Sequence, residues 1–297
     1  MNGKNGAEAP FFFCSMTWQT TRFCIDLAQP QVMGIVNVTP DSFSDGGRHA
    51  STAAALRHAE QLLEDGAHIL DLGGESTRPG APAVSLEEEL ARVLPLVREA
   101  VKLGVPVSVD TYKPQVMQAV LDLGADIIND VWALRQPGQS GQPGAAQVVA
   151  RHARCGVVLM HMHRDPQTMQ AAPMEGDVLP QVLSFLEQRA LDLQGLGVDS
   201  GRIVLDPGIG FGKTVAQNFA LLARQRELLA GGYPILAGWS RKSSLGAVTG
   251  LDVPQRLAPS VAAAVLAVER GARIVRVHDV KETVAALQVW QAMAAAN

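Results

Sequence analysis

Cysteine is scarce and unpatterned in this chain. Cys14, Cys24 and Cys155 form no Cys-x-x-Cys pair and no metal-ligand spacing, which excludes a disulfide scaffold and leaves free thiols in a reducing compartment as the expectation. Long apolar runs are missing too. No stretch is long enough to span a bilayer, and Phe11-Phe12-Phe13, behind the single Lys4, is too short for the core of a secretory signal. Positive charge is not in excess: 25 Lys and Arg stand against 29 Asp and Glu, and no basic run is interleaved with aromatics. A nucleic-acid surface is thereby excluded, and any anion site must be local. No G-x-G-x-x-G follows the first strand. Gly210-Phe211-Gly212-Lys213-Thr214 is only the tail of a phosphate-binding loop, because Pro207 occupies the position of the leading glycine. His161-Met162-His163 would put two imidazoles on one strand face, yet no third ligand lies close by, so a capping or packing histidine is expected rather than zinc.

What is present is one unit, repeated. A short β-branched run ends in a polar residue and gives way to a helical pattern. Val32 to Asn37 precedes Thr52 to Asp65; His68 to Leu72 precedes Leu86 to Lys102; Val105 to Asp110 precedes Pro114 to Leu123. Ala125 to Asp130 leads through a Gly/Pro/Gln-rich loop, Arg135 to Gly144, into a helix reaching Arg154. Gly156 to His161 precedes Pro180 to Leu193, Arg202 to Asp206 precedes Val215 to Leu229, and Ile235 to Trp239 precedes Pro254 to Arg270. Ala272 to Val277 and a helix from Val280 close the series. Near-continuous apolar strands alternating with helices imply a parallel sheet covered on its faces, and eight such units predict an α/β (β/α)₈ TIM barrel. A doubly wound sheet is the competing fold. Gly66, Gly104, Gly124, Gly156 and Gly271 sit where left-handed helix caps are wanted. Residues 14–31 read as a short N-terminal β-hairpin plugging the barrel, so that 1–13 form a flexible N-terminus and 14–297 one domain, the barrel proper starting near 31.

Every strand ends in polar chemistry. In order the ends are Asn37, Asp71 with Gly73-Gly74, Asp110, Asn129-Asp130, His161, Asp206, Ser240-Arg241-Lys242, and Arg276 with His278. In a barrel these positions converge on the C-terminal face, where barrel enzymes carry their sites. The first is followed by a long loop: Asn37 interrupts an apolar run, Pro40 forbids further pairing, and Gly46-Gly47 precede a helix near Ser51. Arg276 and His278 lie two apart on a strand and share a face. With Arg241, Lys242 and Arg78 they make a local cationic cluster suited to phosphate or diphosphate; the competing reading is an ion-pair network with Asp71, Asp206 and Asp279. Asp110, Asn129 and Asp206 are buried acceptors in need of donors, and a flat heterocycle with ring and amino N–H groups supplies them better than a bare divalent ion. Asn37 could then offer an oxygen to a Mg²⁺ that takes its other ligands from phosphate and water.

Read together, Met33 to Gly47, Asp71 to Gly80, Ile127 to Asp130, Asp206 to Lys213, Gly238 to Ser243 and Arg276 to Asp279 resemble the dihydropteroate synthase family, from about residue 30 to the C-terminus. The resemblance implies a folate-pathway transferase that joins (7,8-dihydropterin-6-yl)methyl diphosphate to 4-aminobenzoate with Mg²⁺ assisting, usually a cytoplasmic homodimer inhibited by sulfonamides. It implies Asp110, Asn129, Met160, Asp206 and Lys242 around the pterin. Asn37, Thr77, Arg276 and His278 would hold the diphosphate, Asn37 touching the metal. Thr77, Pro79, Phe211, Lys242 and Ser243 would hold aminobenzoate, and Asp41, Phe43, Ser44, Ser76 and Arg78 would close over the site. Asp110, Asp206, Lys242, Arg276 and His278 form the implied catalytic set. Two segments depart from the pattern: His163-Arg164-Asp165-Pro166, where the family often has glycine before the proline, and the longer Arg135 to Gly144 loop. A pterin-barrel methyltransferase acting on methyltetrahydrofolate would have no use for the Ser-Arg-Lys-Ser and Arg-Val-His anion site. A non-catalytic pterin-binding protein would have lost a strand-end group, and none is lost.

Overall fold

The computed structural model describes residues 16–38, 47–76, 82–139, 141–164, 169 and 172–296, with backbone alone for 47–51. Strands β1 (Thr17–Gln19) and β2 (Cys24–Asp26) pair antiparallel. The next strands are β3 (Gln31–Asn37), β4 (Ile69–Gly73), β5 (Val107–Asp110), β6 (Ile127–Asp130), β7 (Gly156–Met160), β8 (Ile203–Asp206), β9 (Ile235–Ala237) and β10 (Ala272–Val277). They run parallel in chain order, and β10 closes the ring against β3, with Arg276 opposite Met33. Outside lie α1 (Gly47–Glu64), α2 (Leu86–Ala100), α3 (Pro114–Asp122), α4 (Ala145–Arg151), α5 (Val178–Gly195), α6 (Val215–Ala223), α7 (Ser243–Thr249), α8 (Leu257–Glu269) and α9 (Val280–Ala294). This is the (β/α)₈ barrel that the repeat predicts. Among the described residues no helix is long and apolar enough to cross a membrane.

Period-two alternation sorts each strand into two sets. The outward set, such as Val36, Leu72, Val109 and Val275, packs against helix residues such as Leu62, Leu96, Val116 and Ala267. The inward set begins apolar: Met33, Ile69, Ile127, Val158, Val204, Leu236 and Ile274 fill the floor of the barrel together with Trp18, Ile25 and Leu27 of the hairpin. The hairpin is therefore a stopper, as its position in the chain suggests. Trp18 Nε1 donates to the Arg202 carbonyl at 2.9 Å, and a Cβ on Gly156 would lie 3.1 Å from that nitrogen. Asp126 clamps the hairpin by pairing with Arg22 while accepting the Val107 N–H at 2.9 Å.

Several boundaries differ from the sequence pattern. Gly156 is the first residue of β7 and leaves room for Trp18; it is no helix cap, whereas Gly66, Gly104, Gly124 and Gly271 do adopt positive φ. The first helix begins at Gly47 instead of near Ser51, α4 ends at Arg151, and α6 stops at Ala223 before a 3-10 stretch, Gln225–Gly231. The largest difference is α7. The expected single helix Pro254 to Arg270 is a 3-10 turn, Val253–Gln255, followed by α8, and the seven residues of α7 come before it. Two turns show no periodicity to read, and left-handed Gly250 (φ 72) terminates them. Arg256 straps this short helix: Nε donates to the Leu251 carbonyl at 2.9 Å and Nη1 to the Arg241 carbonyl at 3.1 Å. The strap crosses so closely at Gly246 that a Cβ there would come within 2.2 Å of Nη2.

Candidate active site

One inward step above the floor, the barrel interior changes character. Ile69 gives way to Asp71, Ile127 to Asn129, Val204 to Asp206 and Ile274 to Arg276, all along single strands. Parallel register sets Asp71 beside Ser108, Asp110 beside Asn129, and Met160 beside Asp206. Strand ends scattered along the sequence thus meet in one mouth.

Arg276 stands at its centre. Its Nε donates to Asp71 Oδ2 at 2.6 Å and its Nη2 to Asp110 Oδ2 at 2.8 Å, while Asp71 also accepts the Ser108 hydroxyl at 2.6 Å. Burial works against the guanidinium charge, and the two carboxylates more than offset it, holding Arg276 above its ordinary range. Asp110 is raised to about 7 by burial; Arg276 pulls it down and Asp71 adds to the rise. Asp206 is likewise pushed up by burial, opposed by the Gly208 N–H at 2.7 Å and then by Lys242.

The cationic cluster is only partly as expected. Arg276 and Arg241 both serve ion pairs as well as the cavity, Arg241 through Asp279, with Nη2 to Oδ1 at 2.5 Å. Lys242 and His278 line the cavity; Lys242 Nζ sits 4.2 Å from the Phe211 ring centroid, and His278 Nδ1 is 3.0 Å from Ser240 Oγ. The mouth holds about 850 Å³, lined by Asn37, Ser76, Phe211, Lys242, Ser243 and Arg276 among others. A deeper recess of about 60 Å³ is lined by Asp110, Asn129, Met160, Asp206, Lys242 and Arg276. The expected site residues of the described segments therefore line one connected space. Asp41, Phe43, Ser44, Thr77, Arg78 and Pro79 lie outside the described residues.

Lys213 has a structural task. Its ammonium is buried and donates to the carbonyls of Gly208 at 2.9 Å and Phe211 at 3.2 Å, and lies 3.0 Å from His161 Nδ1. Burial lowers Lys213 to about 7 and, aided by Lys213, lowers His161 to about 2, so the imidazole is neutral. The His161 ring meets the Phe185 ring edge-on, a packing role. Among the described residues no group of three His, Cys, Asp or Glu could hold a metal ion.

Some participants carry no signal in the sequence. Ser108 is an inward residue one step below a strand end, and only alternation could have suggested it. Glu75, beside the loop after β4, is bridged by Lys113, which also contacts Glu89 at 2.5 Å, and Arg256 reaches the cavity from beyond α7. These contacts join segments that no local pattern connects.

Residues 33–278 match the family of pterin binding enzymes. The dihydropteroate synthase of Neisseria meningitidis serogroup C is 51% identical over 280 residues, covering 93% of this chain and 97% of its own. Burkholderia cenocepacia dihydropteroate synthase, solved with 7,8-dihydropteroate, superposes with a TM-score of 0.85 at 51% identity, over 94% of this chain and 97% of that one. The Yersinia pestis enzyme in a sulfonamide drug complex gives 0.87 at 43% identity, over 94% of this chain and 100% of that one.

Proposed function

From a chain that belongs to the pterin-binding enzymes and, among them, to the dihydropteroate synthases, we propose how the mouth divides the reaction among its side chains. The reaction joins (7,8-dihydropterin-6-yl)methyl diphosphate to 4-aminobenzoate, giving 7,8-dihydropteroate and diphosphate. The observation that carries the division is a small recess where Asp110, Asn129 and Asp206 meet, adjoining a larger cavity that holds Asn37, Ser243 and His278, with Lys242 and Arg276 shared between the two. A pterin edge, rich in N–H donors, suits Asp110, Asn129 and Asp206 in the recess, with Met160 against its face and Lys242 above. Diphosphate suits Arg276 and His278, with Asn37 lining the same cavity. Aminobenzoate suits the outer space between Phe211, Lys242 and Ser243.

Negative charge grows on the diphosphate as the C–O bond breaks, and the neutral amine nitrogen then attacks the pterin methylene carbon and gives up one proton to solvent or to the departing diphosphate. Cations fixed in advance lower that barrier because they need no reorientation. Arg276 is fixed in this way: two carboxylates hold its plane, and Nη1 makes no hydrogen bond to a described residue. Asn37, at the end of β3 and exposed, has its Oδ1 over Gly73, where a Cβ would intrude at 3.3 Å. One neutral oxygen suits a Mg²⁺ that draws its remaining ligands from phosphate and water, and such an ion would offset charge on the leaving group. The segments containing Asp41, Phe43 and Ser44, and Ser76 with Arg78, would cover the site and exclude water.

A homodimer belongs to the same reading, since Leu257 and Leu266 of α8 and Val289 and Met293 of α9 expose apolar surface suited to a second copy. So does the cytoplasm, with Cys24 and Cys155 as free thiols. Sulfonamides, as aminobenzoate mimics, would compete for the outer space. Purified protein given both substrates and Mg²⁺ is expected to release diphosphate only when the arylamine is present, with a sulfonamide raising the apparent KM for 4-aminobenzoate. No release with both substrates present overturns the proposal.

A further inference from the structure

Asn218, at the end of the first turn of α6, is 1% exposed and makes three hydrogen bonds. The Gly210 N–H donates to its Oδ1 at 2.9 Å; its Nδ2 donates to the Lys213 carbonyl at 3.3 Å and to Ser244 Oγ at 3.0 Å. Gly210 and Lys213 flank Phe211 on the loop after β8. Ser244 is the second residue of α7, beside Ser243. One buried amide thus ties together the two walls of the outer space: the aromatic wall carrying Phe211, and the helix that starts at Ser243 with Lys242 just before it. The acceptors at Asp110 and Asn129 belong to β5 and β6 and do not hang from this amide.

We propose that Asn218 is a positioning residue that sets the width of the arylamine slot by holding the Phe211 loop at a fixed distance from α7. It touches neither substrate. The inference rests on reading the outer space as the 4-aminobenzoate subsite. A slot that admits a flat ring is sensitive to small changes in width, so loosening either wall weakens ring contact on one side and carboxylate contact on the other; the recess shares Phe211 and Lys242 with the slot but keeps Asp110, Asn129 and Met160 on strands the bridge does not touch.

The test is steady-state kinetics on the full chain for Asn218→Ala, Ser244→Ala and the double variant, with thermal midpoints measured alongside. Asn218→Ala is expected to raise KM for 4-aminobenzoate about tenfold, the order set by losing buried hydrogen bonds to both walls, and Ser244→Ala, which loses only one of them, several-fold less. KM for the pterin diphosphate should change less, within about twofold, since Asp110 and Asn129 lie on β5 and β6 and Asp206 is held by the Gly208 N–H ahead of the bridge. The double variant should be no worse than Asn218→Ala, because both changes remove the same bridge. Equal rises in both KM values, a fall in kcat alone, or multiplicative effects in the double variant would overturn the inference. If Asn218→Ala fails to fold, Ser244→Ala carries the test, and an unchanged arylamine KM defeats the proposal. A wild-type protein without diphosphate release defeats the functional reading; an active wild type with unshifted variants defeats this inference alone.

Discussion

The floor and the mouth of this barrel are built from the same strands, one alternation apart, and they obey different physics. At the floor, Ile69, Ile127, Val204 and Ile274 interlock with Trp18 of the hairpin by apolar packing, and the one polar group, Trp18 Nε1, is satisfied by the Arg202 carbonyl. At the mouth, Asp71, Asn129 and Asp206 are nearly as enclosed and Arg276 is half-buried, but they replace packing with ion pairs and hydrogen bonds. Burying such charges stabilises a fold less than apolar packing would, and leaving one unpaired is costly. The barrel accepts that because the lower half supplies the stability. The comparison teaches that one layer is kept for holding and the next for reacting.

Removing the central cation is the strongest way to break this division. Arg276→Met strands Asp71 and Asp110 in a buried site, and is expected to cost about 3–5 kcal/mol in denaturant unfolding and to abolish measurable turnover in the folded fraction. Its counterpart at the floor, Trp18→Ala, should cost a similar amount, about 3–5 kcal/mol, yet leave kcat/KM of the folded fraction unchanged. If the floor variant also lost specific activity, the layers would not be separate.

A second, smaller effect separates the layers by pH. Asp110 and Asp130 are both raised to about 7, chiefly by burial, from an unfolded value near 3.8. A carboxyl with a folded value above its unfolded one takes up protons on folding. Its contribution is therefore greatest below about pH 4 and is lost as pH rises through about 7. Stability should fall across that window, and Asp110→Asn should remove part of the slope, leaving the share due to Asp130. An unchanged slope in that variant would show that Asp110 ionises normally. The smallest expected effect is at the floor: Ile69→Val, measured by thermal unfolding, should cost about 0.5–1.5 kcal/mol and leave both KM values as they were.

Much of this was legible because periodicity survives in short strands. The change from Ile127 to Asn129, or from Val204 to Asp206, is visible as an apolar run that ends in an acceptor, and eight such runs point to one face of a barrel. Partnership was not legible. Asp71 and Arg276 are 205 positions apart, and nothing local says that Arg276 pairs there while Arg241 turns to Asp279. The helix α7 escaped because it is too short for a pattern, and Asn218 because a buried bridge has no spacing rule. Pro207 already denies Lys213 a phosphate loop in the sequence, but nothing there says that its ammonium serves backbone carbonyls instead.

The stoppered floor makes the barrel a blind well with a narrow shaft beneath a broad vestibule. With Trp18, Ile25 and Leu27 filling the far end, no second door is left at the floor. Both substrates, and the larger molecule made from them, therefore share a single route in and out.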